Sequence, residues 1–287
     1  MARIGSPAPD QNGLLPSVSR RNRSKVSGSM SIDRNELRVW SMKTSEVPHS
    51  IPSAYVKVLQ RWEHARASAF VHESDRRDYI CAHALRRALL ADCFGLRAGS
   101  WDIEQRHLQK PIIATPIQHG TAESNLTHTR GFVAVVVGLD CAVGIDAEDR
   151  NRHIEPDAAS LICSTSEHDF LNAIPSSSPA RRELLLHMWV RKEALLKAMG
   201  VGLSFPLPAI DLDHNGHPSL SHSTFAIGAI SDWRIWNIDA GPSHLVAVGA
   251  HHCGRSLLPT HQAINWHDLE DMLLHGNSLG QANEDYR

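Results

Sequence analysis

The chain has 287 residues, of which 42% are hydrophobic, and carries a formal net charge of −2. That is enough apolar material for one large core or two smaller ones, and it leaves no global basic field to recruit nucleic acid. Five cysteines, Cys81, Cys93, Cys141, Cys163 and Cys253, are an odd number with no Cys-x-x-Cys pair, which argues against a disulfide framework and a zinc ribbon; buried thiols in a reducing compartment are expected instead.

Taken in chain order, residues 1–34 come first, rich in Pro, Ser, Gly, Asn and Arg, with Arg20, Arg21, Arg23 and Lys25 as their cations. Such a stretch buries too little apolar surface to offset its ordering entropy, so a disordered extension is expected, too weakly charged for a nucleic-acid arm. It lacks the continuous apolar core of a secretory signal, and no run anywhere reaches membrane-spanning length. The expectation is a cytoplasmic protein with neither a membrane nor a nucleic acid as partner.

An apolar run at 132–137, a turn at 138–141 and a second run at 142–145 read as a hairpin ending in Gly144-Ile145-Asp146-Ala147-Glu148. If that end stays extended, Asp146 and Glu148 share one face and Ala147 the other. Two carboxylates so placed repel unless a cation lies between them. By itself an Asp-x-Glu at a strand end is more often two solvated charges.

Residues 175–179, three serines between two prolines, predict a flexible loop where a partner protein could make contact. Beyond it, 181–199 has few breakers, and Leu184, Leu185, Met188, Leu195 and Met199 recur at helical spacing. Trp189, Glu193 and Lys197 then share a face, and Gly200 and Gly202 end the helix. The bland account makes Glu193 and Lys197 an ordinary surface pair, Lys192 a solvated neighbour and Trp189 core packing. The sharper account brings Asp146, Glu148 and Glu193 around one divalent cation beside lysines that hold an anion, as a metal-assisted reaction on a phosphate ester needs. Of nineteen histidines, the closest cluster is His251 and His252 beside Cys253, which reads as a solvated chain end before a zinc site. The tail after His252 is polar, with one amphipathic stretch at 266–274.

These segments carry a resemblance. Gly144-Ile145-Asp146-x-Glu148, followed by Trp189-x-x-Lys192-Glu193-Ala194-x-x-Lys197-x-x-Gly200-x-Gly202-Leu203, resembles the 4′-phosphopantetheinyl transferases of the surfactin-synthetase-activating type. Asn125-Leu126-Thr127-His128-Thr129 resembles that family's Asn-x-Ser-His-Ser loop with threonines for serines. Gln109-Lys110-Pro111 resembles its Gly-Lys-Pro turn, and 75–89 its first helix, with Arg87 at a recurrent arginine. A basic residue of the family falls at Ser74 here, where Arg76 or Arg77 is the expected substitute.

The resemblance implies an α+β fold of two similar subdomains related by a pseudo-twofold. Each is a sheet packed on a long helix, with the active site in the cleft between them. The implied halves are 35–145 and 146–252, followed by a tail at 253–287. It implies transfer of the 4′-phosphopantetheine arm of coenzyme A to a serine of an acyl or peptidyl carrier protein, releasing 3′,5′-ADP. Mg²⁺ would be held by Asp146, Glu148 and Glu193, with Glu193 and Lys197 catalytic. Lys110, Asn125, Thr127, His128, Arg87 and Lys197 would hold coenzyme A, with Arg181 and Arg182 on the carrier-facing rim, and the architecture favours a monomer. Two other functions share these residues: a metal-dependent nucleotide hydrolase or phosphodiesterase, and a non-catalytic module that binds coenzyme A or a carrier.

Overall fold

The structure is a computed structural model and describes residues 32–106, 109–117, 120–202, 205–213, 215–220 and 229–275. Most of the expected extension lies outside the described residues, as does Leu203. Residues 32–34 belong to the folded body: Ile32 is buried and its amide N–H donates to Cys93 O at 3.2 Å.

The elements run in this order: β1 (Glu36–Lys43), α1 (Ser53–Lys57), α2 (Arg61–Ser68), α3 (Glu73–Phe94), the short strands β2 (Ile103–Glu104) and β3 (Ile112–Ile113), β4 (Ala122–Thr129), β5 (Phe132–Leu139), β6 (Val143–Asp149), α4 (Ala159–Ile162), α5 (Thr165–Asn172), α6 (Pro179–Met199), the short strands β7 (Ile210–Leu212) and β8 (Pro218–Leu220), β9 (Trp233–Ile238), β10 (His244–His251), β11 (Leu258–Ala263) and α7 (Trp266–His275). Two sheets organise the body. One has the order β11-β1-β5-β4 and the other β6-β10-β9. The fold is α+β, and each sheet carries one long helix.

Side-chain alternation along the strands builds four layers. On β1 and β5, Trp40, Met42, Val133, Val135 and Val137 join a core with Ile80, Leu85 and Leu89 of α3. The alternate residues Leu37, Val39, Phe132, Ala134 and Val136 instead meet Val143, Ile145, Ala147, Val246 and Val248 of the other sheet. Beyond that sheet, Leu245, Ala247 and Ile235 pack under Leu185, Ala194 and Leu195 of α6. The stacking is therefore helix, sheet, sheet, helix, with an apolar seam between the sheets.

Two expectations change here. β5 and β6 are joined by a tight turn, with Asp140 at φ 53°, but they are not a hairpin. β5 pairs with β1 and β4, whereas β6 pairs with β10. Every residue of β5 is buried, so both of its edges and both of its faces are covered, and the chain must leave its sheet to continue. The tail is also not a tail. β11 pairs in parallel with β1, and Ile264 and Leu269 enter the α3 core, so residues 258–275 complete the first layer pair. The stretch at 266–274 docks as α7, fastened where Tyr55 donates to Trp266 O at 2.7 Å.

Candidate active site

The position of the acidic pair follows from one glycine. Gly144 on β6 lies opposite Gly249 on β10, and α6 crosses directly over them. A Cβ on Gly144 would stand 2.2 Å from Ala194 O and 2.2 Å from Ala198 N, far inside contact distance. Because residues alternate, Asp146 and Glu148 share the face of Gly144 and lie under α6, while Ile145 and Ala147 point into the seam. Helix α6 starts where Ser178 Oγ accepts from Ala180 N and Pro179 takes the first helical position, and it ends at Gly200 with φ 73°. It contributes Glu193 and Lys197 to the same place.

Asp146, Glu148 and Glu193 are 7%, 9% and 9% exposed, a degree of burial that carboxylates seldom tolerate unpaired. Lys197 Nζ donates to Asp146 Oδ1 at 2.6 Å, to Ile145 O at 3.2 Å and to Thr127 Oγ1 at 3.3 Å. That neutralises one carboxylate of the group. Burial first, and the Asp146 charge second, push the Glu193 carboxyl from 4.5 up to about 6, against the pull of Lys197. Asp146 Oδ2 and Glu193 Oε1 are both buried without a hydrogen-bond partner. Glu148 differs: Oε1 accepts from Arg152 Nη1, and Oε2 accepts from Thr129 Oγ1 at 3.2 Å.

Two orphaned acidic oxygens beside a lysine form a donor set that suits a hard divalent cation. Mg²⁺ takes one or two carboxylates and leaves its other positions to water and substrate phosphate. Among the described residues no group of three or more His, Cys, Asp or Glu side chains stands close enough to share an ion. The residues fit the ion through Asp146 and Glu193, with Glu148 adjacent.

Strand β4, the edge of the first sheet, closes the site from the other side. Asn125 Oδ1 accepts from Ile145 N at 3.1 Å, Thr127 Oγ1 donates to Asp146 Oδ1 at 3.3 Å, and Thr129 reaches Glu148 as above. Residues 125–129 are thus strand and not loop, and alternation sends Asn125, Thr127 and Thr129 to β6 while His128 points away from it. His128 instead lines a cavity of about 350 Å³ at the start of α3, together with His72, Ser74, Asp75, Asp78, Thr129 and Arg130. Arg130 is the arginine that lines this cavity. Arg76 pairs with Glu73 at 3.9 Å, and Arg77 reaches Val47 O at 3.5 Å.

Other expected residues have partners within the protein. Arg87 is fully buried and donates to Glu63 Oε2 at 2.7 and 3.2 Å, Trp101 O at 2.7 Å and Gln60 Oε1 at 2.9 Å, so it presents nothing to a nucleotide. Lys110 Nζ donates to Glu123 Oε2 at 2.9 Å and Val143 O at 2.8 Å, tying the start of β6 to β4. Lys192 is not solvated: it is fully buried against Glu167 at 2.5 Å, with Ile162 O at 2.7 Å and Leu207 O at 3.2 Å. Arg181 donates to Leu171 O, Ile174 O and Asn172 Oδ1 at the end of α5, and Arg182 to Arg150 O and Arg152 O. Neither arginine is an uncommitted rim charge. Residues 175–179 form a turn closed by Ser178 N donating to Pro175 O at 2.9 Å. Sequence reasoning missed Arg152 and the bridging of Thr129. The signals were present in the i, i+4 spacing of Glu148 and Arg152 and in the period of two along 125–129.

Fold and site together define an α+β protein with an acidic, lysine-buttressed cleft where the edges of two sheets meet. Residues 142–249 match the family model of the 4′-phosphopantetheinyl transferase superfamily. A phosphopantetheinyl transferase from Thraustochytrium sp. is 24% identical over 233 residues, covering 75% of this chain and 79% of that protein. A 4′-phosphopantetheinyl transferase from Bacillus subtilis is 27% identical over 154 residues, covering 53% of this chain and 65% of that protein. By these matches the chain is similar to members of the 4′-phosphopantetheinyl transferase superfamily.

Proposed function

We propose that the chain transfers the 4′-phosphopantetheine arm of coenzyme A to a serine hydroxyl of an acyl or peptidyl carrier protein. The observation that carries this reading is the pair of orphaned buried oxygens, Asp146 Oδ2 and Glu193 Oε1, facing a fixed lysine at the cleft. In the transfer, the serine oxygen forms a bond to the pantetheine-side phosphorus of the pyrophosphate. The bond from that phosphorus to the bridging oxygen breaks, and 3′,5′-ADP leaves with the electron pair.

Asp146 and Glu193, with Glu148 beside them, would hold Mg²⁺, which when bound supplies charge neutralisation for the pyrophosphate. The chain's own residues do the rest. Glu193 accepts the serine proton directly or through a water; because a cation-bound carboxylate is a weak base, the water route is the more effective one. Lys197 pairs with Asp146 and places a positive charge where negative charge builds on the phosphate. Thr127 and Thr129 orient the two carboxylates of β6 from the other sheet, so the site exists only while both sheets are in register. The cavity lined by His128 and Arg130 would take the nucleotide end of coenzyme A.

The test is incubation with coenzyme A and Mg²⁺, with and without an apo carrier. Release of 3′,5′-ADP only in the presence of the carrier is the expected result. Release without a carrier would make the protein a hydrolase, and release in neither case would leave it a binding module.

A further inference from the structure

Of the three acidic side chains at the cleft, Glu148 alone has both oxygens engaged, and one of its partners is a charged arm that reaches solvent. Arg152 Nη1 donates to Glu148 Oε1, while the Arg152 side chain is 47% exposed. The guanidinium carbon lies 5.7 Å from the ring centroid of Trp189, on α6 one turn before Glu193, which gives the arm a shelf of its own. The Arg152 backbone, in contrast, is fixed. Arg152 N donates to Asp149 O at 2.9 Å, and Arg182 Nη1 donates to Arg152 O at 3.3 Å and to Arg150 O at 2.5 Å. A clamped backbone carrying a solvent-reaching cation over a buried carboxylate can release that carboxylate without disturbing the sheet.

We infer that Arg152 is a displaceable counter-ion of Glu148: it withholds this carboxylate from a divalent cation in the free protein and yields it when a phosphate ester takes the guanidinium. The inference rests on the cation reading of the cleft given above. A guanidinium binds phosphate oxygens through two parallel hydrogen bonds as readily as it binds a carboxylate, so the exchange keeps Arg152 paired in both states. Glu148 is left with one hydroxyl and a full charge, and the cation gains a third acidic neighbour only once the phosphate ester is present. Cation and phosphate ester then strengthen each other's binding by the same factor.

Calorimetric titration of Mn²⁺ alone into the full chain tests this without turnover. Arg152→Met should bind Mn²⁺ tighter than wild type by about three- to fivefold, the range that loss of a partly exposed ion pair allows. Arg152→Lys, which keeps the charge, should stay at the wild-type affinity. Glu148→Gln should lie within about twofold of wild type by the same reasoning, yet erase the gain when combined with Arg152→Met. Equal affinities for wild type and Arg152→Met, or a loss in Glu148→Gln as large as that in Asp146→Asn, would overturn the inference while the cation reading stands. Should Asp146→Asn leave the Mn²⁺ affinity unchanged, the cation reading itself fails, and the role of Arg152 fails with it.

Discussion

Glu193 is where two penalties add, because its carboxylate is buried and faces a second carboxylate. Its folded-state value, about 6, lies above the ordinary 4.5. An acid shifted upward binds its proton more tightly in the folded state, so the stability it contributes is complete below pH 4.5 and is lost as the pH rises through 6. The metal-free protein should lose about 2 kcal/mol over that window, and Glu193→Gln should flatten the slope. Denaturant melts at pH 4.5 and pH 7 with and without Mg²⁺ check this, with Mg²⁺ expected to restore the loss at pH 7. The same variant should lower transfer by at least about a hundredfold. Arg87 makes the opposite prediction. Arg87→Met leaves the fully buried Glu63 with Arg86 as its remaining guanidinium partner, which should cost about 3 kcal/mol. The Michaelis constant for coenzyme A should not change in whatever fraction folds; a specific rise would return Arg87 to the nucleotide site.

At the scale of elements, the site depends on how closely α6 lies on the β6-β10 ladder. Gly144→Ala places a methyl carbon on Ala194 O and Ala198 N, both backbone atoms of a helix that cannot bend aside locally. The variant should lose about 3 kcal/mol or more, and transfer should fall further than stability, because Glu193 and Lys197 ride on the displaced helix. Thermal melts and single-turnover rates on the same sample separate the two effects. Lys192→Met tests a different joint. Lys192 ties α6 to Glu167 of α5 and to the carbonyls of Ile162 and Leu207, and removing it strands a buried carboxylate, for about 3 to 5 kcal/mol of stability.

Much of this level was legible in the sequence, for identifiable reasons. The helix expected at 181–199 is α6, because 3.6-residue periodicity and a glycine end are local properties. The shared face of Asp146 and Glu148 followed from strand alternation alone. The hairpin at 132–145 misled because two adjacent apolar runs with a turn between them look alike whether the second strand pairs with the first or leaves for another sheet. Pairing partners such as β10 lie about a hundred residues away and leave no local mark. For the same reason Arg87 and Lys192, read as ligand or solvent groups, proved to be buried counter-ions. Their charge was visible, but their partners Glu63 and Glu167 were not.

Among the described residues three apolar cores hold the molecule, one under each long helix and one between the sheets, and the cleft sits at the rim of the third. Thr127 to Asp146 and Thr129 to Glu148 cross the boundary between the sheets, as does Asn125 to Ile145. The return of β11 and α7 to the first sheet means that residues 258–275 are part of this body, so truncation after His252 should expose the edge of β1 and the α3 core and leave an aggregating or unfolded product. A soluble, active protein ending at 252 would contradict that placement. Among the described residues no helix is long and apolar enough to cross a membrane.

The central claim, that buried carboxylates from β6 and α6 act together on a phosphate ester, is tested most directly by mass spectrometry of an apo carrier protein incubated with coenzyme A and Mg²⁺. Wild type should add one phosphopantetheine group to the carrier, whereas Asp146→Asn and Glu193→Gln, folded by their melting curves, should leave it unmodified. A carrier modified at the wild-type rate by either variant would contradict the account.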